Sequence, residues 1–93
     1  MAEIVAVPIQ ANHEARLRFR YTGRALPGGS SRLTVTDGSQ WWKFDCKSEG
    51  GNNFSISGSE WKRFAKPWIG KSATFTLYSK EEDEDFHRIR VRQ

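Results

Sequence analysis

Residues 15–21 read ARLRFRY, with Leu17, Phe19 and Tyr21 at every second position and Arg16, Arg18 and Arg20 between them. A helix would scatter these arginines around its circumference, whereas a pleated strand sends them all to one side. The alternation therefore requires a strand with one buried face, and it recurs along the chain. In WWKFDC (41–46), Trp42, Phe44 and Cys46 alternate with Trp41, Lys43 and Asp45. In SATFTLY (72–78), Ala73, Phe75 and Leu77 alternate with Thr74, Thr76 and Tyr78. In FHRIRVR (86–92), Ile89 and Val91 alternate with Arg88, Arg90 and Arg92. RLTVTD (32–37) is β-branched, EIVAVPI is strand-like up to Pro8, and FSIS (54–57) adds a further short strand. The sum is about seven strands.

One segment breaks the period. In SGSEWKRFAKPW (57–68), Trp61, Phe64, Ala65 and Trp68 fall at i, i+3, i+4 and i+7, a single helical stripe, while Lys62, Arg63 and Lys66 take the flanks and outer face. Ser57 and Glu60 have the spacing of a capping box, and Pro67 ends the element, so the helix is expected over about 58–66. An isolated amphipathic helix among strands has to bury its stripe. The expected fold is mainly β, with one or two short helices: a seven-stranded open β pseudobarrel capped by the helix near 58–66.

Ninety-three residues make a single domain, 1–93, with one modest core. No apolar run approaches the roughly 18 residues of a membrane span, and MAEIVAVPIQ lacks the basic and apolar regions of a signal peptide. Cys46 is the only cysteine, which rules out an internal disulfide and fits a reducing, intracellular setting. Enzymatic signals are weak. His13, His87 and Cys46 have no metal-ligand spacing, PGGSS lacks the context of a phosphate-binding loop, and the acidic run 81–85 lacks the alternation and turn glycine of a calcium loop. A non-enzymatic chain without metal or small-molecule cofactor is the expectation.

Charge points to a polyanion. The formal net is +4, yet five of the eleven acids sit in Glu81–Asp85; outside that run fifteen cations face six acids, a net of +9. Clustered cations with a pI near 9.6 are the footprint of a nucleic-acid binder. Arg16, Arg18 and Arg20 project from one strand face about 6.5–7 Å apart, close to the phosphate spacing of a nucleic-acid strand. The same ladder also serves cross-strand salt bridging and solubility. The ladder at 88, 90 and 92 follows directly on five carboxylates and is partly neutralised. In KSEGGNN (47–53), Lys47, with Lys43 before it, can reach phosphates, and Asn52 and Asn53 can pair with adenine edges. Gly-Gly-Asn-Asn is also what a plain hairpin turn looks like.

The order RLTVTDGSQWWKF, NNFSISGSEWKRFAK, IGKSATFTLY and FHRIRV resembles the plant B3 DNA-binding domain. The resemblance covers about 31–92 and rests on Asp37, Gly38, Trp42, Phe54, Trp61, Phe64, Gly70, Phe75 and Ile89, with VPI (7–9) similar to the family's Ile-Pro strand. Lys71 stands where the family usually has aspartate, and ARLRFRY reads as a strand where the family has a helix. The resemblance implies a seven-stranded pseudobarrel, nuclear localisation, and two arms in the DNA major groove, one of them corresponding to the hairpin Lys43–Asn53.

The leading expectation is a sequence-preferring double-stranded DNA-binding module of a transcription regulator, monomeric. Arg16, Arg18, Arg20, Arg24, Lys43 and Lys47 would contact phosphates, and Asn52 and Asn53 would read bases. A second reading is a single-stranded DNA or RNA binder whose exposed aromatics, such as Trp41 or Tyr21, stack bases. A third is a protein- or carbohydrate-binding β-domain using Trp41 and Trp42. Exposure of the tryptophans separates these readings.

Overall fold

The computed structural model describes residues 2–93. Seven strands form one sheet: β1 (Glu3–Pro8), β2 (Arg16–Arg20), β3 (Ser30–Thr36), β4 (Trp41–Ser48), β5 (Asn53–Ser57), β6 (Thr74–Tyr78) and β7 (His87–Arg92). Their spatial order is β1-β6-β7-β3-β4-β5-β2. Every neighbouring pair is antiparallel except β3 and β7, which run parallel over only Val35–His87 and Thr36–Arg88. The sheet curls into a nearly closed, barrel-like shape whose open seam lies between β1 and β2. Those edge strands are consecutive in the chain, joined through a 3-10 turn at Ala11–His13. Pro8 sits on β1, an edge strand, where a missing N–H costs no interior ladder bond.

The alternating segments bury the faces their spacing requires. Leu17, Phe19, Phe44, Cys46, Ala73, Phe75, Leu77 and Ile89 are buried, and Arg16, Arg18 and Arg20 are exposed. Residues 16–20 are thus a strand, as their alternation demands. The helix α1 (Ser59–Ala65) continues into a 3-10 turn at Lys66–Trp68, so Pro67 tightens the helix end instead of stopping it outright. Trp61 is 0% exposed and packs edge-on against Phe44 and Phe75, with ring centroids 5.3 Å away in each case. Phe64 packs against Trp42 at 4.9 Å and Phe44 at 5.5 Å. This aromatic cluster fills the barrel and makes α1 its plug.

The start of α1 differs from the expected capping box. Gly58, not Ser57, holds the N-cap position, with φ 106° and no side-chain cap. Glu60 turns away from the helix start, and its Oε1 accepts the backbone N–H of Lys43 at 3.0 Å. A tertiary bond to β4 has replaced the local one.

Candidate nucleic-acid interface

Strand register brings the candidate residues together. On the outer face of β3-β4-β5-β2, one row reads Ser30, Lys47, Ser55, Arg18, and the next reads Arg32, Asp45, Ser57, Arg16. Lys43 lies opposite Thr34, Trp41 opposite Thr36, and Arg20 opposite Asn53. Six cations (Arg16, Arg18, Arg20, Arg32, Lys43 and Lys47) therefore share one face. Two carboxylates intrude: Asp45, whose Oδ1 accepts from Arg32 Nε at 3.2 Å, and Glu49, whose Oε1 accepts from Arg18 Nε at 3.3 Å. In both pairs the guanidinium is well exposed and screened by solvent, although the Glu49 side chain is itself largely covered. Ser55, between Lys47 and Arg18 in its row, is buried.

The β4-β5 hairpin and the end of β2 are stitched into one edge. Tyr21 donates its backbone N–H to Asn52 O at 2.8 Å, and Glu49 donates to Asn53 O at 2.8 Å. Asn53 has a structural task, one N–H of its Nδ2 donating to Gly50 O at 3.2 Å, which leaves its second N–H and its side-chain carbonyl for a ligand. Asn52 is exposed at the tip beside Tyr21 and keeps both halves of its amide. Arg24 stands apart from this edge. It lines a cleft at the β3 margin with Arg32, Lys80, Asp85 and His87, so it extends the cationic face sideways through Arg32. Arg32 carries no mark in the sequence alone; only its register opposite Asp45 puts it on the face.

The tryptophans separate cleanly. Trp61 and Trp42 are buried and Trp68 is half-buried, whereas Trp41 is 57% exposed, the one large hydrophobic so exposed among the described residues. Trp41 rests edge-on against Phe86 at 4.9 Å, and the Arg88 guanidinium lies 5.4 Å from the centre of the Phe86 ring. The neighbours Trp41 and Trp42 point to opposite sides of β4, so they do not form a paired platform.

The second arginine ladder is engaged only at its first residue: Arg88 Nη2 donates to Glu84 Oε2 at 2.6 Å, while Arg90 and Arg92 are exposed and make no ion pair among the described residues. His87 is 1% exposed, its Nδ1 bonded to Tyr78 O at 2.8 Å. Burial holds its pKa below the usual histidine range, with Lys80 adding to the shift and the Tyr78 bond opposing it. Burial likewise pushes the Cys46 thiol up to about 11, which makes it an inert core group. No cluster of three or more His, Cys, Asp or Glu among the described residues is arranged to hold a metal. No helix among them is long and apolar enough to cross a membrane.

No protein-family model, no curated protein and no solved structure matches this chain.

Proposed function

We propose that the chain is a double-stranded DNA-binding module that sets the outer face of β2, β5, β4 and β3 against the phosphate backbone. The observation that carries this reading is the gathering of six cations against two carboxylates on one continuous face. Arg16, Arg18, Arg20, Arg32, Lys43 and Lys47 contact phosphates and set the register, and Asn52 at the hairpin tip reads base edges. The B3 resemblance supports the same arrangement, with the hairpin as one arm and nuclear transcription regulation as its setting. The fold supplies a rigid scaffold and no catalytic group takes part.

Single-stranded DNA or RNA is the second reading, and exposed Trp41 at the end of the same face favours it. One experiment separates the two. A fluorescently labelled duplex of about 20 base pairs and its single strand are titrated by anisotropy at one salt concentration. Tighter duplex binding supports the first reading. Tighter single-strand binding that Trp41→Ala weakens supports the second. Binding of neither rejects both.

A further inference from the structure

Away from the cationic face, a groove of about 630 Å³ opens between α1 with its 3-10 extension, the β3-β4 turn and β7. That volume falls within the range of small-molecule sites. Its floor is rigid: Trp42 and Phe64 meet edge-on at 72° and belong to the buried core. Trp68 and Tyr78 form walls, and both remain partly exposed.

The polar groups around this floor are unbalanced. Arg63, Arg88 and Arg90 line the groove. Arg63 is only loosely paired, with Glu60 at 3.9 Å, and Arg88 is held by Glu84. Arg90 is exposed and makes no ion pair among the described residues. The indole N–H groups of Trp42 and Trp68 and the Tyr78 hydroxyl make no side-chain hydrogen bond among the described residues. Asp37 is the one carboxylate in the lining, and its Oδ1 is occupied by the N–H groups of Ser39 and Gln40, at 2.9 and 2.8 Å, and by the Ser39 hydroxyl at 3.1 Å. The groove thus holds three guanidinium groups against one carboxylate, whose Oδ1 is already engaged, above an aromatic floor.

We propose that this groove binds a small planar aromatic carboxylate, the ring lying against Trp42 and Trp68 and the carboxylate taken by Arg90 and Arg63. A guanidinium fork suits a carboxylate, and flat aromatic walls suit a flat ring. The site is independent of the nucleic-acid face, because none of the six cations of that face lines it.

The probes are 2-naphthoate and its neutral analogue 2-naphthylmethanol, titrated into the full chain labelled with nitrogen-15. The expected result is saturable movement of the Trp42 and Trp68 indole N–H resonances by naphthoate, with the alcohol at least tenfold weaker. Arg90→Gln should weaken naphthoate about fivefold or more and leave the alcohol unchanged, at an unaltered melting temperature. The triple change of Arg16, Arg18 and Arg20 to glutamine should leave naphthoate binding intact. Equal affinity for acid and alcohol, shifts centred on the β2-β5 face, or an Arg90→Gln protein that binds naphthoate as before would each overturn the proposal.

Discussion

The indole N–H of Trp61 donates to the carbonyl oxygen of His13 at 2.8 Å. His13 closes the 3-10 turn that joins the two edge strands, so this bond ties the plug to the seam it covers. The same side chain is 0% exposed and touches three aromatic rings. One residue thus joins core packing to barrel closure.

Truncating it should be severe. Trp61→Ala is expected to cost about 3–5 kcal/mol, a large part of the stability of a domain this small. Trp61→Phe keeps much of the packing but strands the His13 carbonyl, at about 1–3 kcal/mol. Urea denaturation of both variants measures the ranking, and a Trp61→Ala protein with unaltered melting would be incompatible with a plug.

Gly58 makes a second, smaller prediction. Its φ of 106° disfavours any side chain, and a Cβ there would stand 2.7 Å from Asp45 Oδ2. Gly58→Ala should destabilise by about 1–3 kcal/mol. Combining it with Asp45→Ala should recover part of the loss, since the contact disappears and the backbone strain stays. Full recovery in denaturant melts would mean that φ plays no part.

These two residues also mark how far the sequence could be read. Alternation reveals which side chains of β2, β4, β6 and β7 point inward, because a half-buried strand writes its face into every second residue. The same alternation extends to His87, which shares the parity of buried Ile89 and is buried with it. The capping box at Ser57 and Glu60 failed because Gly58 takes the N-cap and a strand seventeen residues earlier claims the glutamate. Local spacing has no access to such a competitor. For the same reason local spacing does not single out Arg32: the pairings of β2 with β5, β5 with β4 and β3 with β4 are tertiary facts, and they alone bring Arg16, Arg18, Lys47 and Arg32 onto one face.

His87 predicts a dependence on pH. Its folded pKa lies below the ordinary value near 6.5, so below pH 6.5 the unfolded chain binds more protons than the folded one. Stability contributed by neutral His87 is therefore complete above about pH 6.5 and falls as the pH drops toward the folded pKa. Chemical denaturation between pH 7.5 and 5 should show this decline, and His87→Gln should flatten it while lowering stability at pH 7.5. A wild-type profile that stays level would mean that the imidazole is protonated equally easily in both states.

The two arginine ladders should be unequal toward DNA. Arg88 is engaged by Glu84 at 2.6 Å, and five carboxylates precede its strand. Arg18 has only the longer Glu49 contact at 3.3 Å, while Arg16 and Arg20 make no ion pair among the described residues. With a screening length of about 8 Å at physiological salt, the acidic loop cancels much of the field around β7 and little of that around β2. Replacing Arg16, Arg18 and Arg20 by glutamine should weaken duplex binding at least tenfold and leave the fold intact, since exposed changes of this kind rarely exceed about 0.5 kcal/mol each. The same replacement at 88, 90 and 92 should do much less. The slope of log affinity against log salt reports the mechanism: four to six phosphate contacts give about −4 to −5 for the wild type, and losing the β2 ladder should make the slope shallower by up to about 3. Anisotropy titrations of the three proteins across a salt series decide the matter. Equal losses from the two ladders would mean that affinity follows net charge alone, and a loss confined to β7 would place the DNA on the opposite side of the barrel.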